Sequence, residues 1–505
     1  MPTFAAVDIG ANSVRLKIAR LSQHRLHLLH EDREVTRLGE SVFRGGMLST
    51  DTIAHTVRVL QRFHRSAQGY GAESVRVVAT SALRDAHNAS AFVDWVASAT
   101  GWRVEVISGL EEGRLIHLAV VSATRAGSAY ALLLDLGGGS CELTVSDHGE
   151  IRRMFSLPLG AVRLTQEFLR RDPPKEKELE RLRSYIAEEV ARIQRRVPAS
   201  NIEMTVATSG TAAALAGAYF RTRNPKGGQV PRAGVVQLTG ALGKLTQGER
   251  AAIPGIGTRR AEIIVAGALV YSELLQRLDL PSFHYSPLGL RDGVLAQMSA
   301  DYDRGTRFRR HIDAERRNAL VNTATHYAAD LKFAGQVRDL ALKLFAGLKS
   351  VHRLPPEYEE WLGAAAMLHE VGSFINRSGR RRHAYYIICQ SEIFGYTVHQ
   401  RYLIAAMARY VGRSRPDADS RLLRPLTPAE REIVPKAVLL LRLARALNQG
   451  RRGAIKDIDV QVRRERVQLK LVAKTSGAEL EMWALQKERA YFRTVFGREL
   501  LAILS

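Results

Sequence analysis

The chain has 505 residues, which allows roughly three domains at about 150 residues each. Hydrophobic residues make up 46% of the sequence and charged residues 25%, a composition that excludes a globally disordered chain. Lysine and arginine (74) outnumber aspartate and glutamate (51), and the net charge of +23 predicts a surface that attracts polyanions. The two cysteines, Cys141 and Cys389, are too few for a disulfide framework or a cysteine-based zinc site, which suits a reducing compartment.

The N-terminal segment MPTFAAVDIGANS lacks the charged and then apolar pattern of a signal peptide. The longest apolar runs, such as residues 129–136, are far too short to cross a bilayer. We therefore expect a soluble cytoplasmic protein without a membrane partner.

Strand and helix patterns alternate along the first third of the chain. An apolar strand over residues 4–7 runs into Asp8, and residues 14–21 alternate like the second strand of a hairpin. Apolar residues at helical spacing and a Val-rich segment then predict elements of both types: a helix over 52–67, a strand over 74–79 and a helix over 88–99.

A second strand–turn–strand unit repeats the layout of the N-terminal hairpin roughly 125 residues later. Residues 131–134 form an apolar strand, 135–140 a glycine-rich turn and 141–145 another strand. This is the strongest internal repeat in the sequence. Helical spacing over 173–196 and a strand over 205–207, followed by an Ala-rich helix, continue the alternation.

The pattern changes near residue 305, where we place a domain boundary. Long amphipathic helices become the main predicted element, for example over 337–348 and 361–369. Three further features mark this part of the chain: arginine clusters at 307–310 and 380–382, and a β-like stretch at 458–473.

Two turns, Asp8–Ser13 and Asp135–Ser140, carry the strongest chemical signals. Each places an aspartate near the end of a strand, before a turn of small residues whose exposed N–H groups can bind an anion. An aspartate in this place can hold hydrated Mg²⁺ or orient water beside a phosphate. The three glycines of the second turn cost backbone entropy that a plain hairpin does not require. Two such turns facing each other predict a clamp for one phosphate; unrelated hairpin turns are the alternative.

Further segments offer groups for the same cleft. Thr208–Thr211 lies at a strand-to-helix junction and supplies more hydrogen-bond donors. The pair Glu111–Glu112 begins a helix, so one carboxylate can face the cleft while the other caps the helix or faces solvent. Arg84 follows a strand and can grip a phosphate, but a surface ion pair, for example with Asp85, is an equal alternative. Arg291, near glycines, has the same ambiguity.

These motifs, in this order, resemble those of the exopolyphosphatase/guanosine-pentaphosphate phosphatase (Ppx/GppA) family, within the actin/Hsp70/sugar-kinase superfamily. The similarity covers residues 4–297 almost continuously. The matching segments are AAVDIGANSVRLKIA, ATSALRDAHN, VISGLEEGRLIHLAV, LLDLGGGSCEL, LPLGAVRLT, ATSGTAAALA, IPGIGTRRAEIIVAGALV and YSPLGLRDGVL. The resemblance implies an α/β fold with two ribonuclease-H-like domains, at 1–126 and 127–304, and an active-site cleft between them.

The resemblance also implies roles by position. Glu112 is implied as the catalytic base that activates water, and Asp135 and Glu142 as acids that bind Mg²⁺ or orient the water. The implied cofactor is Mg²⁺, with a monovalent cation as a second candidate. Phosphate-binding roles fall on the two turns, one arginine and the strand–helix junction: Asp8, Gly10, Asn12, Ser13, Arg84, Gly137, Gly138, Gly139, Ser140, Ser209, Gly210 and Thr211.

Residues 305–505 resemble the mainly α-helical, HD-like domain of the family's long members, with a small terminal β-containing subdomain. His369 and Glu370 stand where an HD phosphohydrolase carries its metal-binding His-Asp pair, with Glu370 in place of the aspartate. Phe333 and Val411 stand where further ligand histidines are expected, so few metal ligands remain. We therefore expect structural or polyanion-contacting histidines here rather than metal-dependent hydrolysis.

The resemblance implies a hydrolase of phosphoanhydride bonds. We expect an exopolyphosphatase that releases terminal orthophosphate from inorganic polyphosphate, because a long polyanion gains by counterion release at many basic sites. The alternative for the basic surface is an arginine-rich composition without functional meaning.

Other functions remain open. Guanosine pentaphosphate (pppGpp) is the second candidate substrate, which would make the protein a pppGpp 5′-phosphohydrolase. An ATP-dependent kinase and a non-catalytic polyphosphate or alarmone sensor are further alternatives. Glu112, implied as the catalytic base, argues against both. We expect no specific nucleic-acid partner, and the long family members imply a homodimer.

Overall fold

The computed structural model describes residues 1–222, 228–417, 419–474 and 477–504. The chain forms two compact units, residues 1–312 and residues 313–505. Within the described residues, no helix combines the length and the apolar character that crossing a membrane requires.

Strands occur in both units. They are β1 (Thr3–Ile9), β2 (Ser13–Ser22), β3 (Arg25–Val35), β4 (Ser74–Ala79), β5 (Val104–Val106), β6 (Tyr130–Leu136), β7 (Cys141–Asp147), β8 (Glu150–Leu157), β9 (Met204–Thr208), β10 (Gln229–Pro231), β11 (Ser282–Tyr285), β12 (Ile455–Val462), β13 (Arg466–Ala473) and β14 (Glu499–Leu504).

Helices connect and cover these strands. They are α1 (Leu38–Gly45), α2 (Thr50–Gly69), α3 (Ser81–Asp85), α4 (Ala89–Thr100), α5 (Gly109–Val121), α6 (Ala161–Phe168), α7 (Glu176–Gln194), α8 (Ser209–Phe220), α9 (Arg232–Leu242), α10 (Gln247–Ala252), α11 (Ile264–Arg277), α12 (Leu290–Tyr302), α13 (Arg309–His326), α14 (Leu331–Gly347), α15 (Lys349–His352), α16 (Tyr358–Leu368), α17 (Arg380–Gln390), α18 (Val398–Tyr410), α19 (Pro428–Ala446) and α20 (Glu479–Phe496).

The first sheet has the strand order β3-β2-β1-β4-β5, antiparallel on one side of β1 and parallel on the other. Every residue of β1 is buried. Ala5, Val7 and Ile9 face one apolar core, whereas Phe4 and Ala6 face another. Because both faces of the sheet are covered, the strand is apolar throughout and shows no alternation with polar residues.

The second sheet has the order β10-β11-β9-β6-β7-β8. From its antiparallel edge, β8-β7-β6-β9-β11 repeats the order and the strand directions of the first sheet, and β10 adds a short antiparallel strand. The internal repeat predicted from the sequence is therefore confirmed, and it extends to a whole sheet. The order is the ribonuclease-H-like one that the resemblance implies.

Two helices lie between the sheets. Leu115 of α5 and Val294 of α12 share one apolar core with Phe4 of the first sheet and Leu133 of the second. Gly293 of α12 allows a close approach, because a Cβ added there would lie 1.9 Å from the carbonyl oxygen of Leu115. This contact fixes the position of α5 relative to both sheets.

Most predicted elements are confirmed, whereas several strands escaped prediction. The strand over 74–79 coincides with β4, and the predicted strand over 205–207 lies within β9. The unpredicted strands include β3 and β8, which follow the two hairpins as the third strand of each repeat. Both are edge strands with many exposed residues, so their sequences lack the apolar alternation that reveals a half-buried strand.

The unit of residues 313–505 is mainly helical and contains a three-stranded sheet in the order β12-β13-β14. One apolar core runs through α14, α16, α18 and α19 and continues to α20 and the sheet. In the central strand β13, Val467, Leu469 and Leu471 are buried. This alternation explains why the β-like stretch is recognisable in the sequence.

Gly293→Ala is expected to lower the free energy of unfolding of the residues 1–312 unit by roughly 1–3 kcal/mol, because the added methyl group overpacks α5 against α12. The control is Gly240→Ala in α9, where an added Cβ meets nothing within 4 Å. That variant is expected to be neutral or stabilised by up to about 1 kcal/mol, since alanine is the better helix former. Chemical denaturation measures both, and equal effects of the two substitutions would contradict the assigned contact.

Candidate active site

The two predicted phosphate loops have the same backbone geometry. In each, the glycine after the strand donates its N–H to the carbonyl oxygen of a serine: Gly10 to Ser13 at 3.1 Å, and Gly137 to Ser140 at 3.0 Å. The two turns are thus structural repeats of each other, and each leaves an aspartate two residues before its first glycine.

The strand register places a different partner opposite each aspartate. Asp8 lies opposite Arg15 in the β1–β2 pair, and Asp135 lies opposite Glu142 in the β6–β7 pair. Directly opposed residues of neighbouring strands extend their side chains from the same face of a sheet. The first repeat therefore sets a cation beside its aspartate, and the second repeat sets another carboxylate there.

The two loops face each other at contact distance. A Cβ added to Gly138 would lie 2.9 Å from the Cβ of Ala11 and 3.4 Å from the backbone nitrogen of Asn12, so glycine permits this approach. The loops border one cavity of about 280 Å³. The predicted loop residues that line this cavity are Asp8, Gly10, Asn12, Ser13, Asp135, Gly137, Gly138 and Ser140.

Helix α5 brings a further carboxylate to the cavity. Its N-cap is Ser108, whose Oγ accepts a hydrogen bond from the backbone nitrogen of Glu111 at 3.1 Å. The carboxylate of Glu111 turns away and pairs with the fully buried Arg114 at 2.7 Å. Glu112 instead lines the cavity, with 7% of its surface exposed. The expectation that the two glutamates point in different directions is therefore confirmed.

Three buried carboxylates, those of Glu112, Asp135 and Glu142, lie together. Each has an oxygen within 4.8 Å of an oxygen of the others, and in the described part of the chain no other group of at least three such ligands occurs. Thr208 donates its hydroxyl to Asp135, and Ser156 donates to Glu142 at 2.8 Å. Oxygen donors with this much negative charge are the ligands that Mg²⁺ prefers, so the donor set fits the implied metal.

Burial raises the pKa of all three carboxyl groups. The pKa of Glu112 rises well above its usual range, because burial and the neighbouring Glu142 outweigh the opposing effect of Arg84. Burial, and then Asp135, raise the pKa of Glu142 to about 7. Burial also raises the pKa of Asp135, against the hydrogen bond from Thr208. The cluster thus carries more negative charge than the protein around it compensates, which favours a bound cation.

Arg84 joins helix α5 to the second phosphate loop. Its guanidinium donates to the carboxylate of Glu112 at 3.3 Å and to the hydroxyl of Ser140 at 3.2 Å. The alternative prediction of an ion pair between Arg84 and Asp85 is wrong, because the carboxylate of Asp85 pairs with Arg163 of α6. Arg84 therefore positions Glu112, and its contact with phosphate stays a prediction.

The junction of β9 and α8 supplies two residues to the cavity wall, Ser209 and Gly210. Ser209 adopts a positive φ of 71° and donates its hydroxyl to the carbonyl oxygen of Leu136 at 2.6 Å. A Cβ added to Gly210 would lie 1.7 Å from Nη2 of Arg260. Glycine is thus required here by a guanidinium group that lies against the backbone.

Besides Arg84, two residues predicted to bind phosphate do not line the cavity. Thr211 is buried behind the wall, where its methyl group would lie 2.6 Å from a Cβ added to Gly267 of α11. Gly139 lies behind the second loop, where an added Cβ would be 2.3 Å from the hydroxyl of Ser81. Both predictions followed from sequence proximity to residues that do line the cavity, and the close packing of the neighbouring elements turns these two inward.

Arginines form a second wall of the cavity. The glycines near Arg291 in the sequence make it a candidate for a phosphate contact. Arg15, Arg33 and Arg260 show no local pattern that predicts such a contact. The members are Arg15, Arg33, Arg260 and Arg291. Only the folded chain brings all four to the cavity that Glu112 and Asp135 also line.

The guanidinium groups of this wall lack sufficient counter-charge. Nε and Nη2 of Arg33 are buried and have no hydrogen-bond partner in the described residues. Burial, and then repulsion from Arg15, lower the pKa of Arg33 to about 10. Burial and the same repulsion lower the pKa of Arg260 to about 9. Buried donors without partners cost free energy, so this wall favours a bound anion.

Among the described residues of the C-terminal unit, no group of metal ligands lies at the place of the expected His-Asp pair. His369 is buried, its Nδ1 lies 2.7 Å from the carbonyl oxygen of Ala366, and its ring lies 5.7 Å from that of Phe333. The carboxylate of Glu370 pairs with Arg451. Both side chains are therefore engaged in protein contacts.

Two ribonuclease-H-like sheets with paired loops and helices between them define the actin-like class of folds. A sequence model of the Ppx/GppA phosphatase family matches residues 17–301, and a model of Ppx/GppA phosphatase domain III matches residues 316–489. The first match alone covers more than half of the sequence, and the chain belongs to the Ppx/GppA phosphatase family.

Solved structures agree with this assignment. The chain is 31% identical to the Ppx/GppA enzyme of Aquifex aeolicus, over 58% of this chain and 98% of that one, with a TM-score of 0.51. It is 28% identical to an exopolyphosphatase-like protein, over 58% and 96% of the two chains, with a TM-score of 0.55. An exopolyphosphatase from Cytophaga hutchinsonii shares the fold at 24% identity, over 61% and 99%, with a TM-score of 0.56.

Glu142→Gln is expected to stabilise the metal-free protein at pH 8 and to have little effect at pH 4.5. A carboxyl group whose pKa is raised on folding contributes stability below its unfolded pKa, and this contribution is lost as the pH rises through the folded value of about 7. The difference in the free energy of unfolding between variant and wild type should therefore grow by roughly 2–3 kcal/mol from pH 4.5 to pH 8.

The matched control for this measurement is Glu150→Gln, because the Glu150 side chain is 61% exposed. Its effect on stability should be small at both pH values. Denaturation in the presence of a chelator measures both variants, and a Glu142→Gln effect that does not change with pH would contradict the buried carboxylate cluster.

Proposed function

We propose that the protein is an exopolyphosphatase that uses Mg²⁺ to release terminal orthophosphate from inorganic polyphosphate. The observation that carries the proposal is a single cavity that two facing phosphate loops border and that both acidic side chains and arginines line. Membership of the Ppx/GppA phosphatase family supports hydrolysis of phosphoanhydride bonds.

The acidic side chains of the cluster act on the attacking water and on the metal. Asp135 and Glu142 would hold Mg²⁺, which when bound offsets negative charge on the phosphate oxygens. Glu112 accepts the proton of the attacking water, a role that its raised pKa suits because a carboxylate with a higher pKa is a stronger base. Arg84 keeps this carboxylate oriented through its contact at 3.3 Å.

The two loops bind the phosphoryl group that is transferred. Backbone N–H groups of the turns at Gly10–Ser13 and Gly137–Ser140 supply donors from opposite sides, and donors of this kind stabilise charge on phosphoryl oxygens. The oxygen of water forms a bond to the terminal phosphorus, the bridging P–O bond breaks, and the electron pair leaves with the rest of the chain.

The arginine wall binds the phosphates that follow the terminal one. Arg33 and Arg260 keep guanidinium groups in a buried place without enough counter-charge, and phosphates of a chain satisfy these donors. The net charge of +23 adds attraction for long polyanions.

A pppGpp 5′-phosphohydrolase is the second candidate function. The same arginine wall suits the additional phosphate groups of such a nucleotide. Steady-state kinetics with long-chain polyphosphate and with pppGpp, side by side, decide between them. A kcat/KM at least tenfold higher for polyphosphate supports the proposal, and the reverse ratio assigns the second function.

The helical C-terminal unit matches domain III of the family. We propose in addition that it derives from an HD-like domain whose metal site has been lost. The contacts of His369 and Glu370 within the protein support this view.

Glu112→Gln is expected to lower kcat by about 10²–10⁴-fold, because the proton of the attacking water loses its acceptor. Binding of polyphosphate should persist, since glutamine has a similar shape and removes a repelling charge. Orthophosphate release and equilibrium binding measure the two properties. The control is Glu180→Gln on the exposed side of α7, which should change neither. Retained turnover with lost binding would contradict the assignment of Glu112.

Arg33→Ala is expected to raise KM for polyphosphate by about tenfold, with a smaller change in kcat, because the side chain contacts phosphates away from the reacting one. The matched control is Arg25→Ala, at the exposed beginning of the same strand and outside the cavity. A drop in kcat at unchanged KM for Arg33→Ala would place this residue at the reacting phosphate and refute the assigned role.

A further inference from the structure

A second group of arginines lies in the unit of residues 313–505, around a pocket of about 540 Å³. Arg377, Arg380, Arg445 and Arg451 line it, together with the acids Asp330 and Glu370. An adjoining pocket of about 420 Å³ shares the first two of these arginines and adds three more, Arg381, Arg382 and Arg409. All of these residues belong to one unit, so the site is complete without the cavity that holds the carboxylate cluster.

The acids of the pocket are already engaged. Arg451 pairs with Glu370, lies 3.8 Å from Asp330 and places its guanidinium 4.1 Å from the ring centroid of Phe333. This arginine therefore neutralises much of the negative charge on that side. Within the described residues, the remaining arginines of the pocket form no ion pair within 4 Å, and the charges of Glu370 and Glu488 act on Arg445 only from farther away.

Four arginines lack partners. In the described residues, no ion pair within 4 Å and no hydrogen bond is formed by the side chains of Arg377, Arg380, Arg381 and Arg445. All but Arg377 are half-buried. Burial, and then repulsion from Arg445, lower the pKa of Arg381 to about 10. Several cations thus face one another in a partly desolvated place, an arrangement that costs free energy until an anion joins it.

The backbone adds to the same charge. Helix α17 begins at Arg380, and its N-cap Gly379 offers no side chain to the free N–H groups of the first turn. The positive end of the helix therefore adjoins the two pockets, since Arg380 lines both and Arg381 and Arg382 line the second. Acidic residues usually occupy such a position, so a bound anion would replace a missing protein carboxylate.

The chemistry of the pocket selects phosphoryl groups. Guanidinium groups bind phosphate oxygens through paired N–H donors. The two pockets share Arg377 and Arg380. Unpaired Arg445 in the first pocket and unpaired Arg381 in the second offer contacts to more than one phosphate. The volume matches that of pockets for small ligands. The two acids of the pocket already face Arg451. The described residues of this unit hold no cluster of metal ligands, and both observations disfavour a metal.

We propose that this arginine pocket is a second anion site, which binds a compact group of two or more linked phosphates without cleaving it. The group can belong to a short inorganic polyphosphate or to a nucleoside polyphosphate, because both present the same linked phosphates. The proposal does not depend on the function assigned to the cavity in the other unit.

Hydrogen–deuterium exchange on the full wild-type chain tests the site directly. The probes are imidotriphosphate and a guanosine triphosphate analogue with imido linkages, neither of which the protein can cleave at those bonds. Either probe is expected to slow exchange severalfold in peptides that cover 377–390 and 442–451. Protection by the inorganic probe alone identifies the inorganic source, and protection by the nucleotide alone identifies the nucleotide. No protection in these peptides, or equal protection by sulfate at the same ionic strength, overturns the proposal.

Calorimetric titration with imidotriphosphate provides an independent measurement. The double substitution Arg380→Ala, Arg445→Ala is expected to bind one equivalent less than the wild type, whether or not the cavity with the carboxylates also binds. The control is Arg338→Ala, an arginine of the same unit that pairs with Asp339 outside both pockets. An unchanged number of equivalents in a folded double variant overturns the proposal, and the exchange measurement decides the matter if that variant does not fold.

Discussion

The structure depends on holding three carboxylates together where they repel one another. Glu112 comes from the helix between the sheets, and Asp135 and Glu142 come from two paired strands. Burial raises each pKa, and repulsion within the cluster adds to the rise for Glu112 and Glu142, so the fold must supply the free energy that keeps the three close. The buried strands and the close contact of α5 with α12 supply this free energy.

A duplicated unit accounts for the two-sided cavity. Both repeats have a strand, an aspartate, a turn closed by the same glycine-to-serine hydrogen bond, and a return strand. They differ opposite the aspartate, where one repeat carries Arg15 and the other Glu142. That single difference directs positive charge to one side of the cavity and negative charge to the other. A phosphoryl group between the loops would meet hydrogen-bond donors on both sides. Arginines and acidic side chains line the rest of the cavity.

In the C-terminal unit, the proposed loss of an HD-like metal site would account for a charged pocket. Where the resemblance places metal ligands, a buried histidine bonds to the backbone and Glu370 pairs with Arg451. Within the described residues, the other arginines of the pocket form no ion pair. The same physical argument applies to Arg33 in the first unit: a guanidinium held away from water without a partner indicates an anion.

The sequence by itself determined the features that depend on neighbouring residues. Strand β4, the hairpins with their glycine turns and the opposite directions of Glu111 and Glu112 were all predictable, because turn chemistry and side-chain periodicity act over a few residues. The family resemblance added the roles implied for Glu112, Asp135 and Glu142. The edge strands β3 and β8 were missed, since solvent-exposed strands need no apolar pattern.

Tertiary structure alone decided which distant residues share the cavity. Arg15 and Arg33 lie opposite each other on neighbouring strands of the first sheet, and Arg260 of a distant segment joins them only in the folded chain. Packing also turned Thr211 and Gly139 away from the cavity and gave Arg84 a carboxylate partner from another helix. Contacts of this kind join residues far apart in the chain, and no local pattern records them.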